Sequence, residues 1–140
     1  METEETYVKD NKDLAKMIEE FSSDVELNIN NIREKSFLVS TIRAKWLAKF
    51  FKEKETLARI KKAKSKILQE RISNSSTQSS VLRLKTEASI SESDERIKKL
   101  NEMEKMVQDN IDFIERSFSI LDGFNFQIKD TIEICKLYGV

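Results

Sequence analysis

Residues 31–72 read NIREKSFLVSTIRAKWLAKFFKEKETLARIKKAKSKILQERI. This segment contains neither proline nor glycine, the residues that most often interrupt a helix. Positions spaced alternately by four and three residues run from Ile32 to Arg71, and several of them are charged rather than apolar. The pattern predicts one long helix of about 60 Å that packs against neighbours at intervals, rather than a continuous two-stranded coiled coil.

The composition of the whole chain extends this prediction. The 140 residues include no proline, no histidine and only two glycines, Gly123 and Gly139, whereas 36% of the residues are charged and 39% are hydrophobic. Such a lack of turn-forming residues disfavours hairpin-rich β folds. The sequence therefore predicts an all-α fold of long helices, with residues 1–140 as a single helical domain. A helix of that length is too long for one small protomer to cover, which favours a homo-oligomer.

The other segments differ in their patterns. Apolar residues alternate in 24–30, which favours an extended segment, and the serine-rich run that begins at Ser73 has no hydrophobic face. Ser91 or Ser93 is suited to cap a second long helix, and Gly123 is suited to end it in a left-handed conformation. The predicted elements are a short helix at 7–21, an extended segment at 24–30, the long basic helix at 31–72, a mobile loop at 73–90, a second long helix at 91–122 and a terminal assembly helix at 124–138.

The terminal segment is strongly apolar. Its large side chains fall on more than one side of a helix, so a single neighbouring helix would leave some of them in water. We predict that it is buried between subunits; the alternative is a terminal helix that folds onto the core of its own chain. The predicted oligomerisation residues are Phe124, Phe126, Ile128, Ile132 and Cys135.

The formal net charge is zero, but the charges are unevenly distributed along the chain. Residues 1–42 carry ten acids and five bases, residues 43–71 carry eleven bases and three acids, and residues 72–140 carry nine bases and twelve acids. One segment therefore holds the positive charge. This arrangement favours a polyanion as the partner of that segment, while the acidic segments limit non-specific association.

The long basic helix combines cations with aromatic residues, because Trp46, Phe50 and Phe51 lie among the first of its bases. Cations neutralise successive phosphates and aromatic rings stack on unpaired bases, a combination that suits single-stranded DNA. A lysine-rich face is also often only a solvated surface, and an aromatic pair such as Trp46 and Phe50 is more typical of a core. The predicted DNA-binding residues are Arg43, Lys45, Lys49, Arg59, Lys61, Lys62, Lys64, Lys66 and Arg71.

Several functional classes are disfavoured. The sequence offers no histidine for proton transfer, no glycine-rich phosphate loop and no residues at metal-ligand spacing, so we expect no catalytic residue, metal or cofactor. Asp94 and Glu95 are interpreted as solvated charges, and Cys135 as a small buried residue without a partner for an intramolecular disulfide. No apolar run approaches the ~20 residues that span a bilayer, and the acidic N-terminus is unlike an export signal.

Two other functions remain open. The basic helix of a non-enzymatic scaffold or adaptor would dock an acidic protein. A peripheral membrane protein would lay the same helix on anionic lipid, but the bases are spread around the helix and charges replace several apolar positions, which disfavours a membrane.

Four short motifs carry a resemblance to a known family. They are Asp24-Val25, Lys45-Trp46-Leu47-Ala48-Lys49, Leu57-Ala58-Arg59-Ile60 with the lysines that follow it to Lys66, and Gly123-Phe124. In their order and spacing they resemble the UvsY family of recombination mediators of T-even-type bacteriophages. The resemblance extends from about residue 24 to the end of the chain and depends on Trp46 and on spacing more than on a rigid motif.

The resemblance implies a specific function. Proteins of this family form ring-like homo-oligomers, bind single-stranded DNA, displace the phage single-strand-binding protein and help to load the UvsX recombinase, without catalysing a reaction. It also implies the cytoplasm of the infected bacterial host as the location. The Lys-Ala-Arg-Leu stretch that the family uses for DNA falls here on residues 69–72, where only Arg71 has the matching charge. We hypothesise that Lys61, Lys62, Lys64 and Lys66 supply the missing charge.

Overall fold

The structure is a computed structural model, and it describes residues 11–28, 30–74, 89–90 and 94–139. Most of these residues belong to three α-helices, α1 (Lys12–Asp24), α2 (Ile32–Asn74) and α3 (Glu95–Leu137). The described residues contain no β-strand. The predicted all-α fold of long helices is confirmed.

Helix α1 is defined by caps at both ends. The side chain of Asn11 accepts a hydrogen bond from the backbone N–H of Leu14 at 3.1 Å, as an N-cap does. At the other end, Lys35 Nζ donates to the carbonyl oxygens of Ser23 and Asp24 at 3.1 and 3.0 Å. The predicted helix at 7–21 thus ends three residues later than expected, and its first residues, 7–10, lie outside the described residues.

The extended segment predicted at 24–30 is not a strand in the described residues between α1 and α2, and residue 29 lies outside them. Asp24 still belongs to α1, and residues 25, 30 and 31 are in turns. Two asparagines cause this, because Asn28 Oδ1 accepts from the N–H of Asn31 at 3.0 Å while Asn31 Oδ1 accepts from the N–H of Asn28 at 2.8 Å. Asparagine side chains that accept hydrogen bonds from nearby backbone N–H groups take the place of the hydrogen bonds that a neighbouring strand would accept.

Helix α2 is continuous over 43 residues, or about 65 Å at 1.5 Å per residue. Its bounds differ by one or two residues from the predicted 31–72, because Ser73 and Asn74 extend it. Residues 73 and 74, predicted to start the mobile loop at 73–90, therefore belong to α2. Residues 75–88 lie outside the described residues, and residues 89–90 are helical.

Helix α3 is also 43 residues long, and it passes straight through Gly123. The prediction that Gly123 separates a helix at 91–122 from another at 124–138 is wrong. Leu121, Phe124 and Ile128 continue one buried face of α3. Burial of such side chains contributes roughly 1.5–3 kcal/mol each, which exceeds the cost of about 1 kcal/mol for glycine inside a helix. The glycine with a positive φ, 68°, is Gly139, just beyond the helix end.

The chain divides into two compact units, although the sequence analysis treats it as a single domain. The first comprises residues 1–52 and 109–140, and the second comprises residues 53–108. In the first unit, one core is formed by Phe21, Ile42, Trp46, Ile114 and Leu121, and another by Ile32, Phe124 and Ile128. In the second unit, the core is formed by Ile72, Ile90 and Ile97.

Candidate nucleic-acid interface

The indole of Trp46 is a core group and not a surface for base stacking. Its exposed fraction is 0%, and its ring meets those of Phe21 and Phe113 edge to face at centroid distances of 5.3 and 6.2 Å. Trp46 Nε1 donates to Asp24 Oδ2 at 2.9 Å, so the polar atom of the indole is also satisfied inside the protein. Phe50 packs against the same core, whereas the side chain of Phe51 is 62% exposed.

Lys45 and Lys49 flank Trp46 and are held by acids of α1. Glu20 accepts from Lys45 at 3.1 Å and from Lys49 at 3.0 Å, and Asp24 is 2.5 Å from Lys45. Both ammonium groups also lie over the Trp46 ring, 5.6 and 5.4 Å from its centroid. These two predicted DNA-binding residues therefore fasten α1 to α2.

The electrostatics of this cluster agree with its geometry. Partial burial acts to raise the pKa of Glu20, but hydrogen bonds from Lys49 and Lys45 outweigh it, so that this pKa lies below its ordinary value. Burial acts to lower the pKa of Lys45, but hydrogen bonds to Asp24 and Glu20 outweigh it, so that this pKa lies above its ordinary value. Each partner is thereby kept charged. A third upstream base, Arg43, pairs with Asp122 on α3, where both side chains are about half exposed.

The downstream part of α2 presents a different surface. Residues 56–69 carry five bases and no acid. Lys61, Lys62 and Lys66 are exposed, and within the part of the chain that the structure describes they have no acidic partner. Arg59, Lys62 and Lys66 follow one another at helical spacings of three and four residues, so they lie along one side of α2, and Lys61 lies about 100° around the helix from Lys62. We call these four residues the downstream basic face.

The other predicted bases in this region are engaged to different degrees. Arg59 pairs with Glu55 one turn earlier, and both side chains are well exposed. Lys64 is directed toward α3, where its Nζ lies 2.6 Å from Glu104. Arg71 lies 2.9 Å from Asp94. Lys61, Lys62 and Lys66 thus differ from the other predicted DNA-binding residues in that no acid of the described residues pairs with them.

Asp94 is the N-cap of α3, which corrects its interpretation as a solvated charge. Its exposed fraction is 6%, and its Oδ1 accepts from the backbone N–H of Arg96 at 2.8 Å. Hydrogen bonds from the Arg96 guanidinium, supported by the bond from Arg71, hold the pKa of Asp94 far below its usual range. An aspartate just before a helix is a recognisable sequence signal for this role.

The predicted oligomerisation residues do not lie on one surface. Phe124 and Ile128 are buried against Ile32 in the chain's own core, and Ile132 packs against the same cluster. Phe126 is 67% exposed, and Cys135 is partly exposed. The alternative interpretation, a terminal helix folded onto its own core, thus describes three of these five residues. Also exposed are Ile134 and Leu137 at the end of α3, and Tyr138 just beyond it.

Within the described ranges, no group of histidine, cysteine, aspartate or glutamate side chains is placed to hold a metal ion. In the same residues, no helix is both long enough and apolar enough to cross a membrane.

The chain matches the family model described as recombination, repair and ssDNA binding protein UvsY, over residues 20–139. It also resembles the crystal structure of the recombination mediator protein UvsY of bacteriophage T4, lattice type IV, with a TM-score of 0.72. The two sequences are 19% identical, and the alignment covers 91% of this chain and 98% of the phage protein chain. This likeness supports the helical fold. No curated protein sequence matches the chain.

Proposed function

Because the chain belongs to the UvsY family of recombination, repair and single-stranded-DNA-binding proteins, we propose that it is a recombination mediator. It binds single-stranded DNA as a homo-oligomer and helps to load a UvsX-type recombinase onto strands covered by the phage single-strand-binding protein. It does so without catalysing a reaction, inside the infected bacterial host. The observation that carries the proposal is the downstream basic face, where three lysines are exposed and unpaired within the described residues.

The downstream basic face makes the first contact with DNA. Lys61, Lys62 and Lys66 bind phosphates without breaking any ion pair of the described residues. Arg59 joins them at little cost, since an exposed pair such as Arg59–Glu55 contributes less than about 1 kcal/mol. Phosphate binding by these four side chains follows about 10 Å of helix.

Lys45 and Lys49 contribute in another way. A phosphate would have to displace Glu20 from both ammonium groups and Asp24 from Lys45, and the same groups stabilise the buried ring of Trp46. Their role in the proposed function is to hold α1 on α2, and contact with DNA is secondary. Lys64 and Arg71 are intermediate, because each has one acidic partner.

Binding of this kind is mainly electrostatic. Trp46 is unavailable for stacking, so the contribution of about 1–3 kcal/mol that a base-stacking aromatic provides is lost at that position. The affinity therefore depends on phosphate neutralisation, which gives a steep salt dependence and little preference among bases. Tolerance of base sequence suits a mediator, which acts wherever single strands occur.

Assembly compensates for the weak binding of one protomer. A few phosphate contacts bind poorly at physiological salt, but several copies of the downstream basic face in one oligomer raise the effective concentration of sites on a single strand. The exposed part of the terminal segment of α3 supplies the contact between copies. Phe126 is its best candidate, together with Ile134 and Leu137 on the same helix.

Fluorescence anisotropy of a labelled oligonucleotide tests the proposal. We expect tighter binding to single strands than to duplex, a steep fall in affinity with salt, and light scattering from the same sample that reports an oligomer. Recombinase assembly on strands covered by single-strand-binding protein should then be faster with the protein than without it. Failure to bind either form of DNA contradicts the proposal and favours a helical adaptor that docks an acidic protein.

A further inference from the structure

One side of α2 in the first unit carries large apolar side chains that nothing in the described chain covers. The exposed fractions are 85% for Phe37, 45% for Leu47 and 62% for Phe51. Single exposed apolar residues are common on proteins, but these recur at the spacing of one helix face. Between them lie small exposed residues, and we call the whole set the α2 stripe. Its members are Phe37, Ser40, Thr41, Ala44, Leu47, Ala48 and Phe51.

The α2 stripe is symmetric about Ala44 except at Thr41 and Leu47, which lie three residues to either side of it. Phe37 and Phe51 lie seven residues to either side of it, while Ser40 and Ala48 lie four residues to either side. The two phenylalanines thus stand at the ends, and the stripe residues between them are small except for Leu47. Small residues let two helices approach closely, and the large ones then pack beside the partner helix at each end.

We infer that the α2 stripe pairs with the same stripe of a second copy of this chain, with the two helices antiparallel and the two-fold axis at Ala44. In this arrangement Phe37 of each copy lies at the level of Phe51 of the other. Contacts of this kind are isologous, since one surface meets itself. The pairing covers both phenylalanines of each copy and brings the two Ala44 residues together.

The charges just beyond the phenylalanines support the antiparallel direction. Arg33 and Glu55 lie eleven residues to either side of Ala44, and both are exposed; Glu55 also pairs with Arg59, and such an exposed pair is weak enough for Glu55 to turn to a second partner. Antiparallel pairing therefore places Arg33 of one copy at the level of Glu55 of the other, at both ends of the contact. Parallel pairing in register would place like charges together, which is destabilising. Opposite charges at matching levels select the direction and the register.

An open groove beside the stripe provides room for a partner. It is lined by Ser40, Arg43, Ala44, Leu47 and Phe118. Most of this lining is apolar, and it lies directly next to the proposed axis. A second copy of α2 would bring its own Ala44 and Leu47 to this groove.

This two-fold contact depends neither on DNA binding nor on the terminal segment of α3. It involves α2, whereas the proposed function assigns assembly to the exposed end of α3. A closed ring requires heterologous contacts, while an isologous contact joins copies in pairs. The α2 stripe thus pairs two protomers or two whole rings. If this pairing does not occur, the proposed mediator role is unaffected.

Disulfide trapping tests the pairing in the full chain with Cys135→Ser as the background. Ala44→Cys lies on the proposed axis, where facing Cα atoms of closely packed helices come within disulfide range. Ala48→Cys is the matched control, since it is equally exposed but stands about 12 Å from its own copy along an antiparallel pair. We expect disulfide-linked dimers from Ala44→Cys only, with maleimide labelling to verify that both thiols react.

The other outcomes of this experiment contradict the inference. Cross-linking of both variants indicates parallel helices. If neither variant cross-links although both thiols react with maleimide, the stripe contacts a different partner or remains in solvent. Light scattering gives a second test, in which Phe37→Glu halves the mass of the assembly. Adding Phe51→Lys restores it, because the introduced opposite charges meet only in an antiparallel pair. A mass unaffected by Phe37→Glu overturns the inference.

Discussion

Replacing the three unpaired lysines of the downstream basic face tests the proposed DNA contact most directly. The variant Lys61→Ala, Lys62→Ala and Lys66→Ala removes three exposed charges and breaks no ion pair of the described residues. Alanine also has the highest helix propensity, so α2 should remain intact. We therefore expect an unchanged helical content, an unchanged oligomer mass and weaker binding to DNA.

The size of the effect follows from counterion release. On single strands, each neutralised phosphate contributes about 0.7 to the slope of log affinity against log salt, so three lysines contribute about 2. At about 0.15 M salt this corresponds to a loss of about 50-fold in affinity for each protomer that engages the strand. Several protomers on one strand enlarge the loss further.

Anisotropy titrations at four or five salt concentrations measure both the slope and the affinity. The control variant, Lys12→Ala with Lys16→Ala and Lys99→Ala, removes the same charge from exposed lysines elsewhere in the chain. If the two variants lose affinity equally, the effect is one of net charge and the downstream basic face is not the contact. An unchanged slope in the first variant would refute the reasoning outright.

Three further predictions concern the fold beneath this surface. The fluorescence of Trp46, the only tryptophan, should be shielded from acrylamide and should not be quenched by stacking when single-stranded DNA binds; strong quenching of either kind would place the ring at the surface. Gly123→Ala should stabilise the protein by about 0.5–1 kcal/mol in denaturant titrations at fixed concentration, because nothing lies within 4 Å of the added Cβ and α3 is continuous there. Gly139→Ala, at a φ of 68°, should give no such gain. If Gly139→Ala stabilises the protein and Gly123→Ala does not, the helix is instead interrupted at Gly123. Phe126→Asp should lower the oligomer mass and keep the circular dichroism of the native protein, whereas Phe124→Asp should unfold it, since it buries a charge in the core; equal masses for Phe126→Asp and the native protein would exclude this surface from the assembly.

The sequence predicts the long helices well because their signals are local. Proline is absent and the spacing of apolar residues persists, so the bounds of α2 differ by only one or two residues from the prediction. The predicted helix break at Gly123 is wrong because burial of the apolar stripe on both sides of it outweighs the cost of one glycine in a helix. Phe124 and Ile128 continue the spacing from Leu121, and that continuity was visible in the sequence.

The functional surface is less predictable, because tertiary contacts decide which lysines form ion pairs with acids. Lys49 and Lys62 are indistinguishable in the sequence, since both are lysines in the same basic helix. The difference arises only when Glu20 of α1 folds onto Lys49 while no described acid reaches Lys62. The burial of Trp46 likewise depends on Phe113, which belongs to a helix distant in sequence. The spacing of four residues between Trp46 and Phe50 is more typical of a buried pair than of a surface for base stacking.

The amide pair Asn11–Asn110 has a consequence for how α1 finds its place. Asn11 Nδ2 donates to Asn110 Oδ1 at 3.2 Å, and both residues are buried, with 3% exposed. Hydrophobic side chains tolerate small slips of one helix along another, but a slip here would separate two buried amides and cost about 1–3 kcal/mol for each unsatisfied group. The pair therefore admits one register, so the first turn of α1 is held at one level of α3.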